Sequence, residues 1–181
     1  MEYLKKANNW SKFAATAGLG AIHLGHVGEA MLLLEPYLPA DGGAAAASSG
    51  YAEGGALFAC GIIHAKANAK REKRVEATTY LRKQLRENAA NEVIAHGAAF
   101  GVGFAGLGSG DGEVYKELQD VLFTDSAVAG EAAGVGMGLV MMGQGGGASV
   151  TELLAYAKDT AHEKVSERTS SRSSSQKQHP P

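Results

Sequence analysis

The sequence predicts an all-α protein, an αα-superhelix of about four helical hairpin repeats. Three observations point there. Its 25 glycines crowd into a few stretches instead of scattering through turns. Those stretches superpose on one another at near-constant steps along the chain, the mark of a repeat architecture. Each is followed by a segment whose apolar residues recur at helical spacing.

The repeat register is explicit in the glycines. Laying Gly97–Gly108 over Ala132–Gly143 sets Gly101 on Gly136, Gly103 on Gly138 and Gly108 on Gly143, at a constant step of 35. A step of 42 back from the third copy sets Gly97 on Gly55, Phe100 on Phe58 and Gly103 on Gly61. A further step of 41 sets Gly61 on Gly20, Gly55 on Ala14 and His64 on His23. The four copies therefore begin near residues 10, 51, 93 and 128, as Trp10–Gly25, Tyr51–Lys66, Val93–Gly108 and Val128–Gly143.

In chain order, residues 1–9 read as a partial helix before the repeats. The first copy pairs with Glu29–Tyr37 (EAMLLLEPY), then a small-residue linker, Ala40–Gly50, leads to the second. That copy is followed by the basic run Lys66–Arg74, which extends the start of the helix over Val75–Leu85. The third copy pairs with Val114–Leu122, where Val114, Leu118, Val121 and Leu122 form one apolar stripe beside Lys116, Glu117, Gln119 and Asp120. The fourth pairs with Val150–Tyr156. The solenoid thus covers 10–165, and the Ser/Arg-rich stretch 166–181 loses hydrophobic periodicity and reads as disordered.

Glycine inside a helix costs ~1 kcal/mol relative to alanine, so several per copy demand an offsetting gain. Close approach of a neighbouring helix supplies one, because a face without side chains lets two backbones nest. The residues assigned to such helix packing are Gly20, Gly55, Gly61, Gly97, Gly101, Gly103, Gly108, Gly136, Gly138 and Gly143.

Competing chemistries are weaker. Gly101, Gly103 and Gly106 spell G-x-G-x-x-G, a nucleotide-binding turn if a strand precedes it and a helix follows. Related segments recur without that spacing, which is what packing produces and a single cofactor site does not. His23, His26 and His64 lack the carboxylate or cysteine partners of a metal site, and helix-end packing explains them. Cys60 has His64 four residues on, a spacing that allows a nucleophile and base, but it falls on a presumed buried face. One cysteine makes no internal disulfide, and the chain is expected to be soluble and intracellular. The longest apolar stretches fall short of the roughly 20 residues of a membrane span. A net charge of -2 gives no global attraction to nucleic acid. No catalytic, cofactor-binding or metal-binding residue is assigned.

The spaced alanine and glycine of NWSKFAATAGLGAIHLGH (Asn9–His26), EGGALFACGIIHA (Glu53–Ala65), HGAAFGVGFAGLG (His96–Gly108) and GEAAGVGMGLVMMG (Gly130–Gly143) resemble the proteasome/cyclosome-repeat family. ELLAYAKDTAHEK (Glu152–Lys164) is similar to the helix that follows those repeats. The IH and HEK segments resemble its proteasomal members more than the scaffold of the anaphase-promoting complex. The resemblance implies an αα-toroid with a closely packed inner ring of glycine-rich helices. It further implies a non-catalytic scaffold in ubiquitin-dependent degradation, present in cytoplasm and nucleus, that holds lid and ATPase-base subunits and ubiquitin receptors. Neither nucleic acid nor membrane is among the implied partners. Members of the family are several times longer, so this chain is expected to be an arc of the ring whose sequence departs from the family after Lys164.

Overall fold

The structure, a computed structural model, describes residues 9–39, 50–65, 69–124, 126–144 and 147–159. Among them it holds α1 (Trp10–Ile22), α2 (Ala30–Leu34), a 3₁₀ turn (Glu35–Tyr37), α3 (Tyr51–Ile63), α4 (Arg71–Glu87), α5 (Glu92–Ala105), α6 (Gly112–Leu122), α7 (Ala127–Val140) and α8 (Gly147–Asp159), with no strand. The helices α1 to α7 belong to one compact unit and α8 to a second. The sequence assignments for 1–8 and 166–181, and for most of the linker Ala40–Gly50, lie outside the described residues.

The four glycine-rich copies become α1, α3, α5 and α7, the inner helices, which pack in that order as one row. Neighbours in the row run parallel. Gly55 of α3 faces Phe13 and Thr16 of α1, whereas Gly20 faces Ala59 and Ile62, so both chains advance together. The outer helices α4 and α6 run antiparallel to the inner ones: Arg74 lies by Ala105, and Leu81 by Gly101.

Each outer helix packs chiefly on the inner helix that follows it, α4 on α5 and α6 on α7. The tight hairpins are therefore outer-then-inner, not inner-then-outer as the sequence pairing had it. Turn length is the physical reason. Only Asn88–Asn91 separates α4 from α5, which forces them together, whereas the connection from α3 to α4 is longer.

In the first, third and fourth copies the inner helix ends three residues before the glycine that closes the copy. In the first, third and fourth copies that glycine has a positive φ, 86° at Gly25, 62° at Gly108 and 80° at Gly143. A left-handed residue turns the chain out of the helix, and glycine does so without a Cβ clash. Helix starts are capped locally: Asn91, Asp111 and Ser126 accept hydrogen bonds from the first free backbone N–H groups of α5, α6 and α7.

The core lies where these layers meet, around Leu57, Ile63, Leu81, Ile94, Val102, Leu118 and Met137. Helix α5 is buried on nearly every side, enclosed by α3, α4 and α7. That explains its even apolar composition, because a helix with no solvent face needs no polar stripe.

Candidate functional site

The chemically distinctive feature is the set of joints between inner helices. At α1 and α3, a β-carbon added to Gly20 would stand 2.7 Å from the Cα of Ala59, and one on Gly55 2.5 Å from the carbonyl oxygen of Phe13. At α3 and α5, a β-carbon on Gly97 would strike the carbonyl of Gly54, one on Gly61 the backbone of Gly101, and one on Gly101 the carbonyl oxygen of Leu57 at 2.5 Å. At α5 and α7, Gly103 would meet the Cα of Gly136 at 2.6 Å, and Gly136 the carbonyl oxygen of Ala99 at 3.0 Å. All but the last of these are nearer than real β-carbons come to backbone, so those contacts exist only because the side chain is missing. Gly54, at 2.5 Å from the carbonyl of Val93, belongs to the same set but was not singled out from the sequence.

Three assigned glycines differ. A β-carbon on Gly138 meets nothing within 4 Å, because that side of α7 faces away from both α5 and α6. Gly143 likewise meets nothing and serves by its positive φ. Gly108 lies beyond the end of α5, also at positive φ, and its N–H donates to the carbonyl of Leu139 at 2.9 Å. With Gly110 donating to Val140 at 3.0 Å, this loop caps the C-terminus of α7.

The nucleotide reading fails on geometry. Gly101 and Gly103 lie within α5, with no strand before them, and neighbouring backbones fill the space a phosphate would need. Gly106 is occupied too: its β-carbon would meet Val102 and Val140.

The Cys60–His64 pair is inert as a nucleophile and base. Cys60 is fully buried, and burial pushes its thiol up to about 12. His64 Nδ1, 3.8 Å from the sulfur, donates to the Cys60 carbonyl at 2.8 Å, so the nitrogen nearest the thiol already carries a proton. His64 thereby closes the last turn of α3, and His23 holds the equivalent position after α1. His23 and His26 stack edge to face with ring centres 5.9 Å apart, and no group of three or more metal-ligating side chains occurs among the described residues.

Polar contacts tie the layers elsewhere. Within the basic run, Arg74 donates to the carbonyls of Ala105 and Leu107, at 3.1 and 3.0 Å, capping the end of α5. Arg82 of α4 forks onto Glu117 of α6 at 2.7 and 2.8 Å, and Arg86 adds a third bond at 2.7 Å. The hydrogen bond from Arg82 holds the Glu117 carboxyl below its ordinary range. His96 donates to the Val128 carbonyl at 2.7 Å across the joint between α5 and α7, amid the rings of Trp10, Phe13 and Phe100. Phe58 stacks on Phe100 with centroids 4.9 Å apart, so aromatic contact follows the row of inner helices.

Such an arrangement holds helices in register. The proteasome/cyclosome repeat model matches residues 97–131, which run from α5 through α6 into α7. The chain is 48% identical over 165 residues to 26S proteasome non-ATPase regulatory subunit 1 homolog B of Arabidopsis thaliana. It is 46% identical over 165 residues to 26S proteasome regulatory subunit rpn2 of Schizosaccharomyces pombe, and 42% to 26S proteasome non-ATPase regulatory subunit 1 of Drosophila melanogaster. Each alignment takes in 91% of this chain but only 15–16% of the relative.

Proposed function

Because the chain belongs to the proteasome/cyclosome-repeat family, we propose that it acts as a non-catalytic scaffold segment of the 26S proteasome regulatory particle, supporting ubiquitin-dependent protein degradation. The observation that carries this reading is identity of 48% over 165 residues, which takes in 91% of the chain. Its partners in this reading are lid and ATPase-base subunits and ubiquitin receptors, in cytoplasm and nucleus. Among the described residues no helix is long and apolar enough to cross a membrane.

The role of the packing glycines follows. Gly20, Gly55, Gly61, Gly97, Gly101, Gly103 and Gly136 draw parallel helices into backbone contact, which gives a scaffold a fixed spacing between successive outer surfaces. Rigidity of this kind lowers the cost of docking a partner, because less freedom is lost on binding.

Affinity purification of the tagged chain from native extract tests the proposal. Lid and base subunits of the proteasome are the expected companions. Recovery of anaphase-promoting complex subunits instead, or of neither set, would overturn it.

A further inference from the structure

The basic run that opens α4 has no part in the joints between inner helices. Lys70, Arg71, Lys73 and Arg74 stand there against only Glu72 and Glu76. They occupy the first turn of a helix, the positive end of its dipole, where cations are disfavoured and carboxylates favoured. Two of these cations have partners: Arg74 caps the end of α5, and Lys73 pairs with Glu76 at 2.7 Å. The side chains of Lys70 and Arg71 are exposed and make no ion pair or hydrogen bond among the described residues.

Arg71 and Arg74 also line one end of a groove of about 440 Å³ between α4, the end of α5 and the start of α6. Val75, 56% exposed, follows along α4 with Thr78 and Thr79, whose hydroxyls are turned back onto carbonyls of their own helix. Arg82 and Asp111 close the far end. There Arg82 is already forked onto Glu117, and Glu113 stands 4.0 Å from it. The groove is therefore graded in charge, cationic at Arg71, uncharged past Val75 and acidic around Asp111. We propose that it is a docking site for an extended segment of a partner protein, with carboxylates that pair with Lys70 and Arg71 followed by apolar residues that lie along Val75 and Thr79.

The grading selects that occupant. The Arg71 guanidinium offers a carboxylate a fork of two hydrogen bonds, and an anion there relieves the crowding of like charge at the helix start. Apolar residues beyond it cover Val75, which water otherwise surrounds. A nucleic-acid strand fits less well, because its evenly spaced phosphates would carry negative charge on to Asp111 and Glu113. No aromatic side chain lines the groove for bases to stack on.

Fluorescence anisotropy of a short labelled peptide, glutamates followed by leucines, titrated with the full chain tests this. The expected result is saturable binding that weakens as salt rises. Arg71→Glu is expected to weaken it by at least about tenfold, whereas Lys116→Glu, the same charge reversal at an exposed position outside the groove, changes it by less than about twofold. A peptide with glutamates at both ends binds more weakly than the first, because its second acidic end meets Asp111 and Glu113. Arg71→Glu places a carboxylate at the helix start and is expected to melt no lower than the parent, so its loss of binding is not a loss of fold. No binding by the parent, equal binding by Arg71→Glu, or equally strong binding of an oligothymidylate in place of the peptide would each overturn the proposal.

Discussion

Gly61 of α3 and Gly101 of α5 meet backbone to backbone: a β-carbon on Gly61 would run into both the Cα and the carbonyl of Gly101. On its other side Gly101 is closed in by the Leu57 carbonyl and by Leu81 of α4. This region has no slack, and substitutions there test the packing directly.

Gly101→Leu is expected to destabilise by ~1–3 kcal/mol or more, because a full side chain must displace backbone on one side and Leu81 on the other. Calorimetry on parent and variant reads the change. An unaltered melting temperature would mean that α3 and α5 do not pack as described.

Asn91→Ala removes the side-chain oxygen that accepts from the N–H groups of Val93 and Ile94. A lost cap of this type costs ~1 kcal/mol, read as a lower urea midpoint at unchanged slope. Asn91→Asp, which retains the acceptor, is expected to recover most of the loss.

Glu117 accepts a fork from Arg82 in a half-buried setting, and its carboxyl is held below the ordinary range chiefly by that hydrogen bond. A depressed folded-state value means the contribution is complete above about pH 5 and is lost as pH falls through the folded value. Glu117→Gln should therefore flatten part of the acid limb of stability against pH. Its effect at neutral pH should be on the order of 1 kcal/mol, reduced by salt. An unchanged acid limb would show that the fork contributes nothing.

Cys60 is fully buried with its thiol pushed up to about 12, so it stays protonated and shielded in the folded state. Thiol labelling at pH 8 is expected to be slow until denaturant is added, and then fast. A raised folded value also means that stability from this group is intact below the unfolded value of about 8.5 and declines as pH rises beyond it. Rapid labelling without denaturant would place Cys60 at the surface.

How much of this was legible in the sequence depends on the range of the interaction. The starts of the inner helices at Trp10, Tyr51 and Glu92 could be read because the Gly/Ala register repeats there. The helix ends were placed three residues late, because a closing glycine such as Gly108 looks like its helical neighbours until its φ is known. The caps Asn91, Asp111 and Ser126 were missed although their signal was present, a short polar residue just before an apolar-periodic run. Arg82 with Glu117 and Arg74 with the Ala105 carbonyl were not legible, since each joins groups more than thirty residues apart through the packing of whole helices. Gly138 looked like its equivalents Gly61 and Gly103, yet only the structure shows that a β-carbon there meets nothing within 4 Å.

The claim that missing side chains serve helix contact is tested most directly by paired urea melts of Gly97→Ala and Gly134→Ala. Both exchange glycine for alanine inside a helix, which by itself favours the folded state by ~1 kcal/mol. At Gly134 the new methyl reaches only ordinary contact with Leu122, at 3.8 Å, whereas at Gly97 it collides with the backbone of Gly54. The predicted result is opposite signs: Gly134→Ala at or above the parent in stability, Gly97→Ala clearly below it. Stabilisation by both substitutions would contradict the account.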